Sequence, residues 1–186
     1  MNVAAETLEH LEQDDDFAVA TFDRYLLLVW RRRITAPGAS AAQRALTRLY
    51  AQRPLATLGF ITLVEDACSL SVAADVRDTI ARMLKDHNYA LGAAAVAYER
   101  AGFVSAIVRS VITAINVASR AVFPSQVNDR LEDAIAFTTS ALSDGSPERQ
   151  RALLAALNQM RSREASPARR RLTERLQAFV RRDRSA

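Results

Sequence analysis

Residues 55–66, LATLGFITLVED, decide the architecture: they form a near-continuous apolar run of strand length that ends in two carboxylates. A strand with one wet face alternates apolar and polar residues. An unbroken run suits a strand covered on both faces, as in the interior of a parallel sheet. Pro54 separates the run from what precedes it, a stretch with Ala45, Leu46, Leu49 and Tyr50 at helical spacing that ends near Gln52. Ser40, with Gln43 three residues on, has the spacing of a capping box at the start of that helix. After the run, Val72, Val76, Ile80, Met83 and Leu84 mark a second helix to about Asn88, with Ser69 or Ser71 as its expected cap.

The alternation continues in both directions. Residues 90–99, ALGAAAVAYE, are a short apolar segment whose small side chains suit a central strand with helices packed close over it. Gly102 opens the next helix, in which Phe103, Val104, Ile107, Val108, Val111, Ile112 and Ile115 form a broad stripe and Arg109, Ser110 and Asn116 face away. Residues 121–127, AVFPSQV, read as an edge strand, because Pro124 cannot donate to a ladder. Asp129 and Glu132 then start an amphipathic helix through Leu131, Ile135, Ala136 and Leu142 that ends at SDGS. Toward the N-terminus, FAVATFDRYLLLVWRRRIT (residues 17–35) contains two runs, 17–22 and 25–34, divided by Asp23 and Arg24, which predicts a hairpin. The order ββαβαβαβα implies the α/β class: a mixed, mostly parallel sheet covered by helices through right-handed crossovers, with a C-terminal helical extension. Residues 1–16 read as an acidic, frayed or loosely helical lead-in, 17–145 as the α/β domain, and 146–186 as the extension.

A chain of 186 residues with 49% hydrophobic content supports one core. The net charge of +4 is a property of its end. From Pro147 to Ala186 there are 11 arginines against 4 acidic residues, a balance of +7, which leaves 14 basic against 17 acidic, or −3, in residues 1–146. Lys85 is the only lysine and alanine is abundant, biases that a GC-rich bacterial genome produces. Ser146-Pro147 and Ser166-Pro167 each match a cap followed by proline in the first helical turn. The first helix carries Leu153, Leu154, Leu157 and Met160 on one face, and the second carries Leu172, Leu176, Phe179 and Val180. Each such side chain contributes roughly 1.5–3 kcal/mol when buried, so the stripes predict a docking or oligomer face. This chain's own body, a second copy or another protein would fill it. Arg169, Arg170, Arg171 and Arg175 are the expected contacts to an acidic partner or anion. Salt-sensitive nucleic-acid association through them is disfavoured, because no reading motif accompanies them. No apolar run approaches the ~20 residues that span a bilayer and no basic leader precedes one, so the expectation is a cytoplasmic protein without a transmembrane segment.

Catalytic machinery is not legible. Cys68 is the only cysteine, and with His10 and His87 it makes neither a disulfide framework nor a zinc site. His10 sits in the lead-in and His87 at a helix end, where a surface role is expected. Cys68 reads as a small buried residue. Glu65 and Asp66 are adjacent on an extended chain, so their carboxylates diverge. Asp14, Asp15 and Asp16 lack converging ligands for a metal. No glycine-rich phosphate loop is present. Arg31, Arg32 and Arg33 alternate between faces and read as solvated. No cofactor, metal or catalytic residue is expected, and the protein reads as a non-enzyme.

The element order, with YLLLVWRRRIT, LGFITLVED, AAAVAYERAGFVSAIVRSVITAIN and AVFPSQVNDRLEDAIAF, resembles the anti-sigma-factor antagonist (STAS) family, and more closely its divergent STAS-like bacterial branch. The resemblance covers roughly residues 15–143. It implies a small regulatory or scaffolding domain that binds partner proteins, often switched by phosphorylation of a serine or threonine after the third strand. Ser69 and Ser71 stand at that place, although EDACSLSVAAD lacks the family's glycine and its contiguous Asp-Ser pair. The expected function is therefore a non-enzymatic protein-interaction module that forms a homo-oligomer through its C-terminal helices. The alternative is a small-molecule or lipid-binding domain. A large apolar cavity between the sheet and the Gly102 helix would favour that alternative, and a sealed interior would count against it.

Overall fold

Apolar runs that cannot stay in water dictate the sheet. β2 (Phe17–Phe22), β3 (Tyr25–Trp30) and β4 (Leu58–Val64) are buried at every residue, as expected of strands covered on both faces. The computed structural model describes residues 8–98 and 103–161, with the backbone alone at 103–108. Its elements include a six-stranded mixed sheet in the order β1-β2-β3-β4-β5-β6, completed by β1 (Leu8–Gln13), β5 (Leu91–Tyr98) and β6 (Ser125–Asn128). β1, β2 and β3 pair antiparallel; β3 to β6 pair parallel. Phe22 opposes Tyr25, so Asp23 and Arg24 form the turn of the predicted hairpin, with Asp23 at φ 52°.

The helices among the described residues are α1 (Ala36–Gln52), α2 (Ala74–Asp86), α3 (Phe103–Ser119), α4 (Leu131–Ala141) and α5 (Pro147–Arg161). Sequential strand order with right-handed crossovers places the connecting helices on one face. Side chains of α1, α2 and α3 accordingly share a core with Leu26, Leu28 and Trp30 of β3. The next residues along that strand, Tyr25, Leu27 and Val29, point the other way, into a second core with α4 and α5.

Several local expectations are corrected. Residues 8–13 are not a frayed or helical lead-in: they form edge strand β1, held to α1 by Glu9–Arg48 and Glu12–Arg44 pairs at 2.8 Å. The triple aspartate makes the turn into β2, where Asp14 Oδ1 accepts from the Asp16 and Phe17 amides at 2.7 and 2.9 Å. α1 starts before Ser40, because Thr35 caps it and Pro37 is tolerated in a first turn, where an amide donor has no partner. Asp129 does not cap α4; Arg130 holds that position without a side-chain bond. Ser146 does cap α5, its Oγ accepting from Arg149 N at 3.2 Å.

α5 is part of the domain. Leu153, Ala156, Leu157 and Met160 are buried against the second sheet face, and Leu154 packs there partly buried. Arg31 is not solvated. It lies 6% exposed on the same face, donating to Asp14 O and, at 2.7 Å, to Met160 O at the end of α5, where a cation complements the helix dipole. No helix among the described residues is long and apolar enough to cross a membrane.

Candidate functional site

The carboxyl ends of β3 and β4 hold a segment, Glu65 to Ala73, that turns at Asp66 and Ala67, where Cys68 N donates to Glu65 O at 2.9 Å, and then runs on to α2. Glu65 N donates to Trp30 O at 2.9 Å and Ser69 N to Arg32 O at 2.7 Å, so the segment continues alongside β3 beyond the end of β4. Extended backbone sends alternate side chains to opposite sides. Ser69 and Ser71 are exposed, while Leu70 and Val72 are half-buried and turned inward. Ser71 is not the cap of α2: Ala73 occupies that position with no side-chain bond, and Ser71 N instead donates to Ser69 Oγ at 3.4 Å. Beside the segment, exposed Arg33 makes two bonds to the Asp16 carboxylate, at 2.8 and 3.3 Å, and this pairing raises its pKa.

Leu70 and Val72 stand on the rim of an apolar cleft of about 90 Å³ between the sheet and α1, α2 and α3. Its floor includes Phe60, Thr62, Ala94 and Val96; its walls include Ile80, Met83, Val111 and Ile115. Asn116, Ser125 and Gln126 give one end polar groups. β5 is an interior strand, yet Ala94 and Val96, which line the cleft, are only half-buried. Helices were expected to pack close over these small residues. In its described part α3 instead leans on α2 and reaches the sheet at β6, which leaves the short side chains of β5 partly uncovered. Its volume is far below the ~300–1,000 Å³ of pockets that take drug-sized ligands.

Cys68 and His87 are not a catalytic pair. Cys68 precedes α2 and His87 follows it, with the 13-residue helix, about 20 Å long by helical rise, between them. His87 is not at the surface: it is 8% exposed, with Nδ1 2.9 Å from Met83 O and Nε2 3.3 Å from Thr47 Oγ1, and it ties α2 to α1. Burial, followed by the nearby Glu65 and Asp16 charges, pushes the Cys68 thiol up from 9.0 to about 11. Near pH 8 the native thiol should therefore react with iodoacetamide about a hundredfold more slowly than in denaturant, because the thiolate is the nucleophile. Equal rates in a time course followed by mass spectrometry would show that Cys68 is accessible and unperturbed.

Of the other expected site residues, Leu153 and Leu157 are buried against this chain's own sheet and Leu154 is partly buried. Arg169, Arg170, Arg171, Arg175, Leu172, Leu176 and Phe179 lie outside the described residues. No group of three or more His, Cys, Asp or Glu among the described residues could hold a metal ion. Sequence reasoning named the space between the sheet and the Gly102 helix as the place for a cavity but left its existence open. Its signal was the row of small residues at 92–95, which was read as room for a helix. In comparisons with known proteins, no family model, curated protein or solved structure matches this chain.

Proposed function

We propose that this chain is a non-enzymatic regulatory interaction module with a STAS-like fold, acting in the cytoplasm through the edge that presents Ser69 and Ser71. The observation that carries the reading is the alternation at residues 69–72, with serines outward and Leu70 and Val72 inward over the cleft. A partner, or a phosphate added at either serine, meets an ordered strip of backbone at this edge. Two added negative charges there would lie close to Glu65 and Asp66 and would change which partner surface fits. Self-association through the C-terminal helices rests on residues 166–186, because the α5 stripe is occupied in cis.

Site-specific photocrosslinking in the source cells tests the reading. A photoreactive side chain at Ser71 should give a discrete protein adduct that the same group at exposed Arg151 does not. No adduct at position 71, or the same adduct at both positions, would remove the assignment of this edge.

A second reading is favoured by the half-covered face of β5: the cleft takes a small apolar molecule, whose size excludes a long-chain lipid in this form. Ala94→Leu should fill the floor and raise the melting temperature by a few degrees. It should also abolish any stabilisation by indole, used as a probe. Wild-type protein whose melting temperature does not respond to millimolar indole would count against the reading.

A further inference from the structure

The large hydrophobic side chains left exposed among the described residues are Tyr50, Leu55, Tyr89, Val117 and Val122. All five belong to one edge of the molecule, opposite the serine segment. Tyr50 and Leu55 lie where α1 turns into β4, Tyr89 where α2 turns into β5, and Val117 and Val122 where α3 turns into β6. Leu55 is 100% exposed and Tyr89 97% exposed, so each is a protruding tip that this chain scarcely touches.

The turns that carry the tips are tied together. Ala56 N donates to Arg53 O at 3.0 Å beneath Leu55, and Leu58 N donates to Ala90 O at 2.8 Å. Asn88 joins the next pair, donating to Arg120 O at 2.8 Å and accepting from Val122 N at 2.9 Å. Leu55, Tyr89 and Val122 are therefore held in one braced row. Exposed Lys85 and Arg120 flank Tyr89 and Val122. Across the edge, Arg24, Arg53 and Arg149 pair with Asp23 and Asp144, which leaves exposed Lys85 and Arg120 beside the tips against exposed Asp86.

We propose that this edge docks on an anionic lipid bilayer, with Leu55, Tyr89 and Val122 entering the interface and Lys85 and Arg120 over the headgroup phosphates. The inference is independent of the serine-edge assignment. Protruding tips suit a fluid that closes around them, whereas a protein partner would need a pocket for each. Tyrosine, with an apolar ring and a polar tip, is favoured at a membrane interface. Basic side chains add attraction at an anionic surface. α5 ends beside Arg31, at the opposite end of the molecule, and the sequence after it carries more arginine than this edge.

The test uses the full chain with vesicles of phosphatidylcholine, alone or mixed with phosphatidylglycerol. It should sediment with the mixed vesicles only, and less as salt rises. Leu55→Asp and Tyr89→Asp should each weaken binding by about tenfold or more while leaving the circular dichroism spectrum unchanged. Replacing Arg169, Arg170 and Arg171 together by Gln should preserve most of the binding. The proposal is overturned if mixed vesicles do not bind the chain, or if the tail variant loses binding while Leu55→Asp keeps it. A change in solution mass on Leu55→Asp, without vesicle binding, would identify a second copy as the occupant instead.

Discussion

A chain ending at Asp144 should fail to fold cooperatively. Without α5, the sheet face carrying Ala18, Leu27 and Val29 loses the cover of Leu153, Leu157 and Met160. At roughly 1.5–3 kcal/mol for each of those three side chains, the loss is about 5–9 kcal/mol as an upper estimate. That is comparable with the ~5–15 kcal/mol by which a domain of this kind is stable. Arg31 would also lose Met160 O, to which it now donates. Urea titration by circular dichroism should show no sharp transition for the truncated chain. In the full-length protein, Leu157→Ala alone should cost about 2–5 kcal/mol. A truncated chain with an unchanged urea midpoint would mean that α5 is a dispensable appendage, and the oligomer role expected for its leucines would be open again.

Asp144→Ala should have the next largest effect, because Asp144 is the hub beneath the β2–β3 turn. Its carboxylate accepts from Tyr25 OH at 2.9 Å and pairs with Arg149 at 3.1 Å and Arg24 at 3.3 Å. Asp23 closes the network, holding Arg53 at 2.8 Å and Arg149 at 3.2 Å. The Arg149 guanidinium also lies 5.9 Å from the ring centres of Phe22 and Tyr25. Removing the carboxylate strands a fully buried phenol and leaves two guanidiniums without it. The expected loss is about 2–4 kcal/mol, below that of a fully buried pair because the Arg24 and Asp144 side chains are 24% and 21% exposed. A double variant with Tyr25→Phe should lose less than the sum of the single changes, since the two groups share a bond.

The same network sets an alkaline limit. Burial, and then the hydrogen bond to Asp144, raise the Tyr25 pKa above its ordinary 10.0. The folded state therefore keeps its proton at a pH where the unfolded chain has released it. The stabilisation is complete below about pH 10 and is lost as pH rises beyond it. Cys68 adds a fall of the same sign between 9.0 and about 11. Tyr25→Phe should cost about 1 kcal/mol at neutral pH and flatten the decline above pH 10. An identical decline in both proteins would place the alkaline sensitivity elsewhere.

How much of this was legible in the sequence depended on whether a signal was local. Residues 58–64 and 17–30 announced buried strands because their apolar runs are unbroken, and Asp23-Arg24 could be read as a turn because the runs stop there. Helix starts were less legible. Ser40, Ser71 and Asp129 all have capping chemistry, yet Thr35, Ala73 and Arg130 hold the cap positions. A cap is fixed by where the chain must leave the sheet, and this overrides a few tenths to about 1 kcal/mol of local preference. His87 and Arg31 were misplaced for a related reason. Polar side chains are read as exposed unless their partners are known, and those partners, Thr47 and Met160, are far away in sequence.

The sequence by itself determined the alternation of strands and helices, the parallel majority of the sheet, and the need of the α5 stripe for an apolar partner, because hydrophobic periodicity is a local property of the chain. Only the tertiary structure decided what covers that stripe, how far α3 stands from β5, and that Leu55, Tyr89 and Val122 share an edge opposite Ser69 and Ser71. Those outcomes depend on contacts between residues separated by whole elements. The periodicity of a segment records that it must be buried, and carries no information about which distant surface will bury it.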